Sequence, residues 1–555
     1  MGTNVRTAVV VGAGTMGSGI AAQLANAGIR VRLLDVLPED DDEDRSRLAR
    51  DGIARQVKAG GFMLPVFAER VTPGNVVDDV DAYAADWVIE AVFEDLAVKR
   101  ELYATIERHR GPGTMVTSNT STIPLARLVE GRDRAFTGNF AITHFFNPPR
   151  HLPLLELVGG PATDPEVLAR LEWAGDRQLG KTVLRCRDTP GFLANRIGNF
   201  WMAVASAEAL RGGVGIETAD AVMARFFGTP RTGVFGLFDL VGINLVPPIW
   251  TSFLRLLPPS DAYHRFDITR EPAFTGLLER GLVGRRGPGG FTRRRRTEDG
   301  PVDEVIDTET FEYRPRRRPD DPALAAEGLR AACETDSPAG RYALAVLREL
   351  VRYCCETTPR VADHAGLIDD AMTLGYAWQA GPFALADAVG LDWLVARFEA
   401  EGIALPGLLR AAREAGGFRP RPGAILAGDG SVTQLAPGPL RVASAVGVFA
   451  ENDSAALVDL GDGVACLSPK TKMNVCEPGL FEVVHRALEL GEQGVFAALV
   501  IGTDHPRAFS AGANLNVFAA LAERNDPDEL RRFTELGQHA FARLRAASFP
   551  VVAAA

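Results

Sequence analysis

Three glycines near the start of the chain, in Gly12-Ala13-Gly14-Thr15-Met16-Gly17, follow the spacing G-x-G-x-x-G, and Asp35 stands about twenty residues further on. Residues of these types in this order can hold a dinucleotide. A pyrophosphate needs free backbone N–H groups at a helix N-terminus, and glycine lets the main chain come close to it. Gly12, Gly14, Thr15, Met16 and Gly17 are therefore candidate cofactor contacts. A carboxylate at Asp35 can accept a hydrogen bond from a ribose 2′-hydroxyl and repels a 2′-phosphate, which favours NAD over NADP. The acidic run Glu39-Asp40-Asp41-Asp42-Glu43-Asp44 acts in the same direction, while Arg32 and Arg45 act against it.

Strands and a helix must aim these groups. Ala8-Val9-Val10-Val11 is an apolar, largely β-branched run suited to a strand buried on both faces. Ile20, Ala21, Leu24 and Ala25 recur at helical spacing after the glycine turn, and Arg30-Val31-Arg32-Leu33-Leu34 is a second strand ending on Asp35. Trp87-Val88-Ile89-Glu90-Ala91-Val92 reads as another buried strand and residues 95–108 as a helix. Residues 114–118 read as a strand running into Asn119-Thr120-Ser121-Thr122. The alternation predicts the α/β class, with a Rossmann-type doubly wound sheet. Ligands bind at such strand ends, so Glu90 and Ser121 are candidates on topology alone. Lys99 and Asn119 join Glu90 as expected cofactor-binding residues.

With 555 residues at roughly 150 per domain, the chain should hold three or four domains. The hydrophobic fraction of 46% and charged fraction of 24% are globular values, which excludes low-complexity and collagen-like classes. A net charge of −11 recruits neither nucleic acid nor an anionic membrane, so the expected partner is a small molecule. Six cysteines form no C-x-x-C pair, which fits a reducing cytoplasm. The uncharged stretch 7–29 is broken by Gly12, Gly14, Gly17 and Gly19 and carries Gln23 and Asn26, so it reads as strand, turn and helix, and no integral membrane segment is expected.

The segment Gly138-Asn139-Phe140-Ala141-Ile142-Thr143-His144-Phe145-Phe146-Asn147-Pro148 precedes Leu154-Leu155-Glu156-Leu157-Val158. With Ser118-Asn119-Thr120-Ser121 and Pro190-Gly191-Phe192-Leu193-Ala194-Asn195-Arg196, these motifs resemble the L-3-hydroxyacyl-CoA dehydrogenases over residues 5–300. The resemblance implies oxidation of an L-3-hydroxyacyl-CoA to a 3-ketoacyl-CoA with NAD, a step of fatty acid β-oxidation. It makes His144 the base and Glu156 the carboxylate that orients it, and it assigns Ser121, Asn147 and Asn195 hydrogen bonds to the developing carbonyl and the thioester. The chemistry agrees: a base must take the hydroxyl proton while hydride leaves the same carbon, and an imidazole with an ordinary pKa of about 6.5 suits neutral pH. His109, His151, His264, His364, His485, His505 and His539 lack such company, no cluster has metal-ligand spacing, and hydride transfer to NAD needs no metal. Two other readings stay open: an NAD dehydrogenase of another hydroxy acid, and a non-catalytic binding protein that keeps the fold.

Thr189-Pro190 predicts the start of a long apolar helix reaching about Leu210, with Asn195 about a turn and a half in. Beyond it, Asp220-Ala221-Val222-Met223 and the segment 233–242 return as Asp370-Ala371-Met372 and the segment 381–390, a duplicated helical domain. The second copy has its own helix at residues 342–355 but no Pro-Gly-Phe-x-x-Asn motif, so it is expected to complete the packing of the first and to carry no catalysis. The basic segment 284–318, with Arg293-Arg294-Arg295-Arg296 and Arg316-Arg317-Arg318, reads as a solvated loop or as an attractor of coenzyme A phosphates; Lys58 is a similar candidate.

Residues 416–439, rich in Gly and Pro, read as a linker. After it, Arg507-Ala508-Phe509-Ser510-Ala511-Gly512-Ala513-Asn514-Leu515 resembles the crotonase (enoyl-CoA hydratase) superfamily, with Asn514 in place of the commoner Asp. The resemblance makes the Ala513 N–H one donor of an oxyanion hole. The expected organisation is thus a Rossmann domain at 1–187, helical domains at 188–330 and 331–415, a linker at 416–440, and a partial crotonase-like domain at 441–555, cut within a core strand. This 555-residue polypeptide is then expected not to hydrate enoyl-CoA. Partners to expect are the acyl-CoA substrate, further copies of the chain and a thiolase.

Overall fold

The computed structural model describes residues 4–39, 43–298, 300–435, 442–505 and 508–554. Asp40, Asp41 and Asp42 of the acidic run, residues 436–440 of the predicted linker and Arg507 lie outside the described residues. The chain forms two compact units, residues 1–435 and 436–555.

The first unit opens with eight strands: β1 (Thr7–Val11), β2 (Arg30–Asp35), β3 (Val71–Asn75), β4 (Trp87–Glu90), β5 (Met115–Ser118), β6 (Phe140–Phe145), β7 (Leu154–Gly159) and β8 (Thr182–Cys186). They lie in the order β3-β2-β1-β4-β5-β6-β7-β8. All pairs are parallel except β6 and β7, which run antiparallel with His144 directly opposite Glu156. The order reverses between β1 and β4, which opens a crevice at their C-terminal ends. Val9 and Val11 enter the core on one face and Ala8 and Val10 the core on the other, as strands covered on both sides require.

The helical half builds one motif twice. In the first copy, helix Ala194–Arg211 is followed by Ile216–Phe226 and Phe235–Val241; in the second, helix Pro338–Val361 is followed by Ala365–Gly375 and Pro382–Val389. Asp220 accepts from the backbone N–H of Phe235 at 2.8 Å, and Asp369 from that of Phe383 at 2.9 Å. The equivalent of Asp220 is thus Asp369 and not its neighbour Asp370, because only the side chain facing the third helix can cap it. Burial pushes both carboxyls up to about 7.

Three further expectations need correction. The long helix begins at Ala194, not at Thr189, because Gly191 at φ +75° and Phe192 at φ +50° turn the chain just before it. The basic segment is not a loop. It supplies the antiparallel strands β9 (Thr292–Thr297), β10 (Gly300–Ile306) and β11 (Tyr313–Pro315), with Asp239 receiving the N–H groups of Phe291 and Thr292. Residues 416–435 are not a free connection either: β12 (Ala424–Leu426), which is buried, and β13 (Val432–Gln434), which is largely exposed, form a hairpin, and Asp387 receives the N–H groups of Phe418 and Arg419. Each helical copy therefore ends in a strand ladder held by an aspartate, a tertiary pairing that composition does not reveal.

The second unit is a five-stranded sheet, β14 (Gly447–Glu451), β15 (Ala455–Asp459), β16 (Val464–Pro469), β17 (Ala498–Ile501) and β18 (Val551–Ala553), in that order, with helices Pro478–Glu492 and Pro527–Arg545. The first three strands are antiparallel and the last three parallel. Among the described residues no single helix is long and apolar enough to cross a membrane.

Candidate functional site

At the mouth of the crevice the chain leaves β1 through Gly12, whose φ of +100° suits glycine and whose N–H reaches the Leu34 carbonyl at 2.8 Å. A Cβ on Gly17 would fall on the Gly12 carbonyl, so the helix can lie this close to the strand end only with glycine there. Gly14 faces open space, and no side chain caps helix Thr15–Asn26. Its first N–H groups are left for an outside acceptor. Asp35 Oδ2 accepts the Ala13 N–H at 2.6 Å and Oδ1 that of Val36 at 2.7 Å, which holds the carboxylate beside the turn. This cradle fits a dinucleotide. The two arginines that argue for NADP are each tied up, Arg32 on Asp79 at 2.5 Å and Arg45 on Asp78 at 2.7 Å. Arg55, which no sequence signal singles out, donates from Nη2 to the Ala13 carbonyl at 2.5 Å.

Glu90 and Lys99 are placed differently from the expectation. Both are buried beneath the crevice, and the Glu90 carboxylate is filled by protein donors: Lys99 Nζ at 2.7 Å and Val92 N at 2.8 Å on Oε1, Tyr103 OH and Ser118 Oγ at 2.6 Å each on Oε2. A buried ion pair demands such saturation, and it leaves these side chains as support rather than surface. The carboxylate at the crevice is Glu94, with its side chain 40% exposed and 3.2 Å from Lys99 Nζ. It accepts from the backbone N–H groups of Ser121 at 3.1 Å and Thr122 at 3.3 Å, and from the Thr120 hydroxyl. Burial raises its carboxyl, but the Lys99 ammonium and the Thr120 hydroxyl outweigh that and hold it below the usual range. Its position in the turn just past β4 is the signal that finds it.

The next three candidates form a hydrogen-bonded chain. Ser121 Oγ lies 3.1 Å from His144 Nε2, and His144 Nδ1 lies 2.7 Å from Glu156 Oε2. Glu156 Oε1 accepts the N–H groups of Leu193 at 3.0 Å and Ala194 at 2.8 Å. The carboxylate thus caps the helix that Thr189 does not. His144 is only 4% exposed, with Phe146 and Phe192 against its ring. Asn119 Oδ1 accepts from the Phe145 N–H at 2.9 Å and ties β6 to the end of β5.

Asn195 stands in the first turn of the capped helix, and its Oδ1 receives the hydroxyl of Tyr376, a residue of the second helical copy, at 3.3 Å. Asn147 is exposed on the connection between β6 and β7. Lys58 is exposed. In the basic sheet Arg293 and Arg295 pair with Glu304 and Arg314 with Glu217, so much of its charge is neutralised internally. In the second unit Ala513 bridges to Cys476, between Gly512 at φ +84° and Asn514, which caps helix Leu515–Glu523.

Comparison with known proteins adds the following. The family model described as 3-hydroxyacyl-CoA dehydrogenase, NAD binding domain, matches residues 7–189, and the one described as 3-hydroxyacyl-CoA dehydrogenase, C-terminal domain, matches residues 191–294. A protein of Bacillus subtilis named "Probable 3-hydroxyacyl-CoA dehydrogenase" is 33% identical over 594 residues, covering 100% of this chain and 73% of its own. One of Rickettsia felis named "Putative fatty acid oxidation complex trifunctional enzyme" is 30% identical over 100% of this chain and 75% of its own. The crystal structure of 3-hydroxybutyryl-CoA dehydrogenase from Escherichia coli aligns with a TM-score of 0.53 at 25% identity, over 74% of this chain and 99% of that one.

Proposed function

The chain belongs to the 3-hydroxyacyl-CoA dehydrogenase family of NAD-dependent oxidoreductases, and we propose that it oxidises L-3-hydroxyacyl-CoA to 3-ketoacyl-CoA in fatty acid β-oxidation with His144 as the base. The observation that carries this reading is the line Ser121, His144, Glu156, at 3.1 and 2.7 Å, which runs from the turn after β5 across β6 to β7 in the same sheet whose β1 leads into the glycine cradle.

Held by Glu156, His144 keeps its proton on Nδ1 and presents the lone pair of Nε2. The substrate hydroxyl joins the Ser121 hydroxyl there, and Nε2 takes its proton. A dinucleotide held by the glycine turn and Asp35 would supply the hydride acceptor for the same carbon, so that loss of the hydroxyl proton and of the hydride would leave a C=O bond. The imidazolium formed is balanced by the carboxylate behind it, and the Ser121 hydroxyl can turn to donate to the new carbonyl oxygen. Asn195, and Asn147 from the exposed side, are the donors assigned to the thioester. Gly12, Gly14, Thr15, Met16, Gly17 and Asp35 hold the dinucleotide, Asn119 fixes β6 against β5, and Glu90 with Lys99 supports the crevice floor.

For the unit 436–555 we keep the crotonase-like reading, with the Ala513 N–H as an oxyanion donor. Its support is the turn itself, where the backbones of Cys476, Gly512 and Asn514 pair and hold Ala513 between them. A thiolase and further copies of the chain remain proposed partners.

The test follows NADH absorbance with acetoacetyl-CoA as the probe. Rapid NADH consumption, with NADPH a poor substitute, is expected; no consumption with either nucleotide would sink the reading.

A further inference from the structure

We propose that Tyr376, from the second helical copy, is a positioning residue that orients the Asn195 amide toward the acyl-CoA substrate. The proposal rests on the reaction assigned above and goes beyond it, because it gives the second copy a part in the site rather than a role in packing alone.

The Tyr376 hydroxyl lies 3.3 Å from Asn195 Oδ1 and 3.3 Å from Asn199 Oδ1, one turn apart on helix Ala194–Arg211. An amide oxygen only accepts and the phenol has one proton, so Tyr376 donates to either Asn195 or Asn199 at a given moment; when Asn195 receives it, the Asn195 NH2 group is turned away from Tyr376 and free to donate to a substrate oxygen. Burial, with the Glu156 charge nearby, pushes the phenol well above its ordinary pKa, so it keeps its proton across the working range.

Two glycines make room for this contact. A Cβ on Gly198 would overlap the Tyr376 ring, and one on Gly375 would press on Leu154 at 2.8 Å, on Ala194 at 3.3 Å and on Phe146 at 3.5 Å. The second copy therefore abuts the wall that holds His144, since Phe146 lies against the His144 ring. The chain then turns sharply at Ala377, φ +55°, and Gln379 donates to the Gly228 carbonyl at 2.9 Å, which anchors the turn to the first copy.

The duplication supplies an internal control. Aligning Asp220 with Asp369 puts Phe227 in the place of Tyr376 and Gly228 in that of Ala377, and it puts Leu344 in the place of Asn195 and Leu347 in that of Gly198. The first copy fills the corresponding position with a phenyl ring. Packing alone does not call for the hydroxyl, which occurs only in the copy that faces Asn195.

The test is a double-mutant cycle in the 555-residue chain with Tyr376→Phe, Asn195→Ala and the pair, reading kcat and KM for acetoacetyl-CoA, KM for NADH and the melting temperature. Tyr376→Phe should lower kcat/KM for acetoacetyl-CoA about tenfold, equivalent to about 1.4 kcal/mol, and leave KM for NADH unchanged. In the Asn195→Ala background it should cause no further loss. Should Tyr376→Phe also lower the melting temperature, the cycle still decides, because a packing loss appears in both backgrounds. Wild-type kcat/KM in Tyr376→Phe, or losses that multiply in the double variant, would overturn the inference while the proposed reaction stands. Absence of turnover in the unmodified chain would remove the reaction and this inference together.

Discussion

His144 and Glu156 face each other across the antiparallel pair β6 and β7, with Nδ1 at 2.7 Å from Oε2, while the other oxygen of the same carboxylate caps the helix that begins at Ala194. One side chain therefore couples His144 to the helix that carries Asn195. Strand register sets the first contact and the helix N-terminus the second.

His144→Gln should lower the rate of acetoacetyl-CoA reduction by about 10²–10⁴-fold, the usual span for removing a general acid or base. NAD affinity, read by fluorescence titration, should not change, since the glycine turn is untouched. Undiminished turnover would remove His144 from the chemistry.

Glu156→Gln and Glu156→Ala separate the two roles of this carboxylate. Glutamine can still accept from Leu193 and Ala194, but its NH2 group then faces His144 Nδ1 and favours the tautomer with the proton on Nε2, where it cannot accept another. The rate should collapse in both variants. The melting temperature should fall in Glu156→Ala beyond its value in Glu156→Gln, by the equivalent of about 1 kcal/mol for a lost cap. Equal melting temperatures would show that the helix does not depend on this carboxylate.

Lys99→Met leaves the Glu90 charge buried without its cation. Breaking a buried pair in this way costs about 3–5 kcal/mol, so denaturant unfolding should shift strongly. Wild-type stability combined with a loss of NAD affinity would restore Lys99 as a cofactor contact.

Asp369→Asn tests the buried carboxyls. Burial raises Asp369 and Asp220 from the ordinary value near 3.9 to about 7 each. Between those values the folded chain binds more protons than the unfolded chain, so these groups make stability fall as pH climbs from about 4 to about 7 and level off above. Asparagine keeps an acceptor for the Phe383 N–H and cannot ionise. The variant should therefore gain stability relative to wild type on going from about pH 5 to about pH 8, by at most about 1.4 kcal/mol per pH unit. Melting curves that run parallel across that range would refute the assignment.

Much of the site was legible because its signals are local. The glycine turn and Asp35 obey spacing rules that hold within one strand–turn–helix–strand unit, and the motifs around Ser121, His144 and Glu156 name side chains that form one hydrogen-bonded chain, ending on the helix that carries Asn195. Where two neighbouring residues shared a chemistry, the one-dimensional pattern could not choose. Glu94 faces the crevice and Glu90 supports it; Asp369 caps a helix and Asp370 does not.

By itself, the amino-acid order determined the alternation of buried strands and helices and the nucleotide cradle, since each follows from residue type and short spacing, while the pairing proposed for His144 and Glu156 came from the resemblance of their motifs to a family. Only the tertiary structure decided that Glu156 caps a helix, that the basic segment and the supposed linker are strand ladders, and that Tyr376 reaches Asn195 from 181 residues away. The Glu156 and Tyr376 contacts join segments far apart in the chain, and each ladder, itself a local hairpin, is seated by an aspartate more than thirty residues before it.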